Sequence, residues 1–214
     1  LDLARVPEFA HCPAAQTLME TANIQEDWEA LRREPLVDYR RQMNAKRQIL
    51  TILAESFFAT RGVRHEAFQR YCQEHPLAEV YARFRAVAER QNASWPEWPD
   101  RLQRGHIGPD DYDEETYRYH LYAQWQIEQQ LGVMTEHARR SNLLWYLDFP
   151  LGVSGDGFDV WRQPEIPAAA PAAAPRAGIR LSDRFVAASF ALRAAVADRP
   201  CDEPAPALLG PSRL

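Results

Sequence analysis

The chain has 214 residues, of which 46% are hydrophobic and 26% are charged, and its formal net charge is −5. This length and composition suit a soluble protein that buries a hydrophobic core. A chain that is disordered over its whole length is therefore excluded. The acidic balance argues against nucleic acid as a partner, because phosphate binding requires a concentrated basic surface. We expect a neutral ligand rather than an anionic one.

The sequence shows neither a membrane-spanning run nor an export signal. No apolar run approaches the roughly 20 residues that cross a bilayer, and the N-terminus lacks a charged start followed by an apolar stretch. The three cysteines, Cys12, Cys72 and Cys201, have no zinc or redox spacing, and their odd number suits a reducing compartment. We expect a cytoplasmic protein with no membrane partner.

Residues 14–104 predict a succession of amphipathic helices. The strongest pattern lies between Pro35 and Arg61, with the proline in the first turn and Gly62 as the stop. Apolar residues recur there at helical spacing, namely Met43, Ile49, Leu50, Ile52, Leu53 and Phe57. Two shorter helices follow, near Arg64 to Glu74 and Leu77 to Gln91.

Basic residues accumulate along the same region, but acidic residues are interspersed with them. The basic residues are Arg32, Arg33, Arg40, Arg41, Lys46 and Arg47. We interpret them as a solvated helix face rather than a nucleic-acid surface.

A long helix is predicted from Glu114 to Arg140. Asp110, Asp111 and Asp113 offer N-cap oxygens before it, and glutamates in its first turn suit the helix dipole. The helix is apolar on more than one side, which indicates that it is well buried.

An apolar and aromatic run follows Asn142 and then breaks into Gly, Pro and Asp. The run is long enough for one buried strand and too short for a helix. In a parallel α/β architecture, the loop after the carboxyl end of a strand is where polar groups meet a ligand. Asp148 at the end of the strand and Asp156 in the loop are therefore candidate site residues.

This stretch also carries a resemblance. Leu147–Val153 and Asp156–Trp161 resemble the third-strand region of the 4-α-glucanotransferases of glycoside hydrolase family 77, called amylomaltases or disproportionating enzymes. Tyr119–Trp125 is similar to the family's aromatic-His-x-x-x-Gln-Trp signature. The resemblance covers Leu1 to Ile166. It implies a mainly α piece of a (β/α)8 barrel, with a helical insertion and about one barrel strand.

The resemblance implies substrate-binding residues. Asp148 matches an aspartate that hydrogen-bonds glucose in the sugar cleft, and carboxylates suit that role because they accept several hydroxyl hydrogen bonds. Asp156 beside two glycines is otherwise a turn former. Trp161 is either a sugar-stacking platform or a core residue. His120 has no metal-ligand partner at helical spacing, so we favour a hydrogen-bonded structural histidine over a sugar contact or a supporting role.

Catalytic residues are not assigned. Retaining glycosyl transfer requires two carboxyl groups about 5 to 5.5 Å apart. In the family these lie in an Arg-x-Asp-His and a Glu-Asp-Leu-Gly segment, and this sequence contains neither. We therefore expect an inactive fragment of an enzyme that transfers α-1,4-glucan segments between maltooligosaccharides, with no metal or cofactor. The alternative is a non-catalytic helical interaction module.

The composition changes abruptly after Ile166. Residues 167–214 contain 15 alanines and 7 prolines, whereas all six Trp and all eight Tyr lie before them. We predict a domain boundary there, a poorly packed linker over 167–175, and a possible short helix from Ser182 to about Asp198.

Because residues 167–180 contain few large apolar side chains, little buried area offsets the cost of ordering them, about 1 to 2 kcal/mol per residue. We predict that limited proteolysis cuts between Pro167 and Arg180 well before it cuts the helical region. Mass spectrometry of the early products checks this, and protection equal to that of the helices would refute it.

Overall fold

The computed structural model describes residues 1–60, 62–143 and 154–163, and within these ranges the chain is mainly helical and contains no strand. The α-helices are α1 Pro13–Met19, α2 Ala22–Arg33, α3 Tyr39–Ala59, α4 Val63–Glu74, α5 Pro76–Gln91, α6 Asp100–Gln103, α7 Glu114–Arg140 and α8 Phe158–Arg162. Short 3-10 turns cover Leu3–Arg5, Pro7–His11, Trp95–Glu97 and Pro109–Asp111.

The mainly α character predicted from the sequence is confirmed in this part of the chain. The predicted strand after Asn142, with Asp148 at its end, lies outside the described residues from residue 144 onward. The Ala/Pro-rich residues 167–214 also lie outside them.

The central helix α3 differs from its prediction at both ends. It begins at Tyr39 because the Asp38 carboxylate accepts a hydrogen bond from the Arg41 backbone N–H at 3.0 Å, so Pro35 is not in its first turn. It ends at Ala59, and Gly62 instead precedes α4 as its N-cap residue. Met43, predicted on the buried stripe, is 39% exposed.

Helix α7 runs from Glu114 to Arg140, as predicted. The Asp113 carboxylate caps it by accepting hydrogen bonds from the Thr116 backbone N–H and hydroxyl, at 2.8 and 2.9 Å. Asp111 was also predicted to offer a capping oxygen, but it pairs with the Arg101 guanidinium. The helix packs against α5 and α3.

An aromatic cluster forms the first core, between α3, α4 and α7. The Phe57 ring lies 5.4 Å from Phe68, 5.4 Å from Tyr122 and 5.2 Å from Trp125, measured between ring centroids. The Tyr122 hydroxyl donates a hydrogen bond to Glu8 at 2.7 Å, which ties the N-terminal segment to α7. The N-terminal segment and α7 are therefore connected at the first core.

A second core lies on the other side of α5. It consists of Tyr81, Phe84, Val87, Trp98, Leu102, Phe158 and Trp161. Ala78 and Ala82 of α5 belong to the first core, so this helix contributes apolar side chains to both. The short helix α8 is held to the helical region through this second core.

The observed burial of the α3 side chains can be tested by replacing one buried residue and one partly exposed residue of this helix. Leu53 is 0% exposed, so Leu53→Ala should lower the free energy of unfolding by about 2 to 5 kcal/mol, through lost burial and the cavity left behind. Met43→Ala removes a partly exposed side chain and should cost less than about 1 kcal/mol. Urea denaturation checks both. Equal losses would contradict the observed face.

Candidate functional site

The structure brings two of the three predicted site residues into one segment, residues 154–163. Asp156 lies in the turn before α8, and Trp161 lies within α8. The third, Asp148, lies outside the described residues, so its role in binding sugar stays a prediction. The described site is therefore this turn and helix, together with the surface on which they pack.

Asp156 lies in a tight turn that leads into α8. The Gly157 backbone N–H donates to the Ser154 carbonyl at 2.9 Å and closes the turn. A Cβ at Gly157 would lie 3.1 Å from that carbonyl oxygen, a close contact that a glycine avoids. The Asp156 side chain is half-buried. This geometry fits the turn-former interpretation, and contact with a sugar stays a prediction.

Trp161 lies in the second core. It is 6% exposed, and its ring centroid is 5.0 Å from Phe84 and 5.9 Å from Phe158. Its indole N–H donates to the Leu102 carbonyl at 2.9 Å, so the polar end of the ring is also satisfied by protein. This is the packing that the core interpretation predicted. The sugar-stacking role stays a prediction.

Trp95 makes a contact with the Asp156 turn that the sequence did not predict. Its indole N–H donates to the Gly155 carbonyl at 2.8 Å, next to Asp156 in the chain. The only sequence signal is the tryptophan pair of Trp95-Pro96-Glu97-Trp98, and that pattern does not say which residue contacts another element. The contact spans 60 positions in the chain.

A polar cluster joins the three helices α3, α5 and α7. The Arg47 guanidinium of α3 donates two hydrogen bonds to the Glu89 carboxylate of α5, at 2.8 and 2.6 Å. His120 Nε2 of α7 lies 2.7 Å from the same carboxylate. His120 is therefore hydrogen-bonded, as we favoured, and Arg47 departs from the predicted solvated face. Bidentate geometry makes this the strong class of charged hydrogen bond.

The environment of the cluster shifts the pKa values of His120 and Glu89. Burial lowers the pKa of His120 to about 4, although its hydrogen bond with Glu89 acts in the opposite direction. Burial acts to raise the pKa of Glu89, but the hydrogen bonds from His120 and Arg47 outweigh it and lower the pKa to about 2. At neutral pH the histidine is neutral and donates to an ionised carboxylate.

A surface groove of about 620 Å³ lies between α4, α5 and α7. Its lining includes Phe58, Phe68, Gln69, Cys72, Gln73, Glu79, Glu114, Tyr117, Arg118 and Leu121. Burial raises the pKa of Cys72 to about 11, so little reactive thiolate is present at neutral pH. Neither Asp156 nor Trp161 lines this groove.

Residues 1–60, 62–143 and 154–163 contain neither a candidate metal-binding group nor a candidate membrane-spanning helix. These residues contain no group of three or more His, Cys, Asp or Glu side chains placed to hold a metal ion. Among the same residues, every helix is too short or too polar to span a bilayer.

Comparison with known proteins identifies the family. A family model described as 4-alpha-glucanotransferase, glycoside hydrolase family 77, matches residues 2–175. Because the match covers most of the chain, the chain belongs to this family, which confirms the resemblance seen in the motifs. No curated protein and no solved structure shows a significant match. The match extends past Ile166, into the Ala/Pro-rich run that we placed beyond the resemblance.

The polar cluster predicts how stability depends on pH. An ordinary histidine has a pKa of 6.5, whereas folded His120 has one of about 4. Between these values the unfolded chain binds more protons, so the free energy of unfolding should fall as the pH is lowered from 6.5 towards 4. The contribution of His120 to the slope is at most about 1.4 kcal/mol per pH unit.

His120→Gln should remove this contribution, because glutamine can still donate to Glu89 but does not titrate. The same substitution at His137, which is exposed near the end of α7, should keep the wild-type slope. Urea denaturation at several pH values between 5 and 7 compares the three proteins. Identical slopes in wild type and His120→Gln would refute the burial of a neutral histidine.

Proposed function

We propose that this chain forms part of the glucan cleft of a 4-α-glucanotransferase, which transfers α-1,4-glucan segments between maltooligosaccharides in the cytoplasm. The family match over residues 2–175 carries the proposal, because it includes both Asp148 and the segment from Asp156 to Trp161. In this proposal the chain binds glucan and does not itself perform the transfer.

The residue chemistry supports binding rather than catalysis. Asp148 and Asp156 are assigned to glucan hydroxyls, since an ionised carboxylate accepts several hydrogen bonds without requiring a charged ligand. The retaining reaction needs a nucleophile and an acid/base group close together. The two family segments that supply them are absent from the 214 residues.

The packing of α8 supports the proposal that the Asp156 turn is part of the wall of the cleft and not a detached loop. Phe158 is 0% exposed and Trp161 is 6% exposed, so the residues after the turn are fixed in the second core. Since Asp156 precedes them by only two positions in the chain, its backbone cannot move far from this core. A binding carboxylate in this position loses little conformational entropy when it meets a sugar.

The proposal predicts that the purified chain binds maltoheptaose and releases no glucose from maltotriose. Asp148→Asn should weaken binding by about ten- to a hundredfold, as expected for the loss of a charged hydrogen bond. Asp110→Asn changes an exposed aspartate outside the site and is the matched control. Calorimetric titration and a glucose assay measure the two quantities.

The outcomes separate the two functions considered. Binding that survives in Asp110→Asn and weakens in Asp148→Asn supports the glucan cleft. A folded chain that binds no maltooligosaccharide would contradict it and favour the non-catalytic helical interaction module. A glucose-releasing activity that copurifies with the chain would contradict the proposal that the chain binds glucan without transferring it.

A further inference from the structure

Two tryptophans connect the Asp156 turn to the helical region by hydrogen bonds in opposite directions. The Trp95 indole N–H donates to the Gly155 carbonyl at 2.8 Å, from the helical region to the turn. The Trp161 indole N–H donates to the Leu102 carbonyl at 2.9 Å, from α8 to the helical region. Asp156 lies between these two attachment points in the chain.

Each attachment restrains a different side of Asp156. On its C-terminal side, Phe158 and Trp161 are buried in the second core, and Gly157 closes the turn onto Ser154. On its N-terminal side, the Gly155 carbonyl accepts the hydrogen bond from the Trp95 indole N–H. Removing that bond leaves the C-terminal attachment intact and takes away one restraint on the backbone immediately before Asp156.

The nearby Trp98 bonds a different acceptor, so the contact with the turn is specific to Trp95. The Trp98 indole N–H donates to the Ala93 carbonyl at 3.0 Å, five positions earlier in its own segment. Trp98 is 3% exposed, whereas Trp95 is only half-buried. Trp98 lies within the second core and Trp95 packs against it, and the Trp95 indole N–H makes the bond to the turn.

We infer that Trp95 is a positioning residue, which fixes the backbone at Gly155 and thereby the direction in which Asp156 presents its carboxylate. The part of this inference that concerns glucan rests on the proposed function. The part that concerns the conformation of the turn does not, because it follows from the two hydrogen bonds and the burial of α8.

The conformational part is tested by hydrogen exchange of the Gly157 backbone amide, which closes the turn. Trp95→Phe keeps a ring and removes the N–H donor, so the amide should exchange about three- to tenfold faster, as expected for one neutral hydrogen bond. Trp98→Phe is the matched control. It should lower global stability at least as much, yet leave the Gly157 exchange rate within twofold of wild type under native conditions.

Unchanged exchange in Trp95→Phe, or equal acceleration in both variants, would overturn the positioning role. The result does not depend on any ligand, so it decides the inference even if the chain binds no glucan. Failure of the proposed function would show only in the maltoheptaose titration of the wild-type chain.

The link to Asp156 is tested by a double-mutant cycle on maltoheptaose affinity. If Trp95 acts through Asp156, Trp95→Phe weakens affinity about three- to tenfold in the wild-type background and less than twofold in the Asp156→Asn background. Equal losses in the two backgrounds would show that Trp95 acts independently of Asp156. A merely structural role would give that additive result.

Discussion

Helix α5 has two apolar faces, and both cores of the described structure depend on it. Its alanines Ala78 and Ala82 pack into the first core, and its larger residues Tyr81, Phe84 and Val87 pack into the second. Small residues allow close approach to one neighbour, while aromatic residues supply buried area to the other. A helix that is apolar on two sides is stable only when both sides are covered.

This arrangement links the candidate site to the rest of the molecule. The second core is completed by Phe158 and Trp161, which follow the Asp156 turn. On its other flank, α5 is held against α3 and α7 by the hydrogen bonds of Glu89 with Arg47 and His120. The glucan-binding role proposed for the turn therefore depends on α5, although this helix ends at Gln91, long before the turn in the sequence.

Local signals predicted the parts of this structure that local interactions determine. Both ends of α7 were predicted, because the Asp113 cap and the apolar pattern are contained in the helix and its flank. The start of α3 was predicted wrongly, since Pro35 is an equally good signal and only the observed hydrogen bond selects Asp38. Glu89 gave no signal, because Arg47 and His120 lie 42 and 31 positions away. For Trp161, packing and sugar stacking require the same residue type, so the sequence could not choose between them.

The central claim is that α8 and α5 form one cooperative unit through the second core. Native-state hydrogen exchange across increasing urea measures this most directly, using the Trp161 amide, which donates to the Gly157 carbonyl, and the amide of Val87 in α5. The account predicts that the two opening free energies converge and share the same dependence on urea. A Trp161 amide that opens locally, with little dependence on urea and at a much lower free energy than Val87, would contradict it.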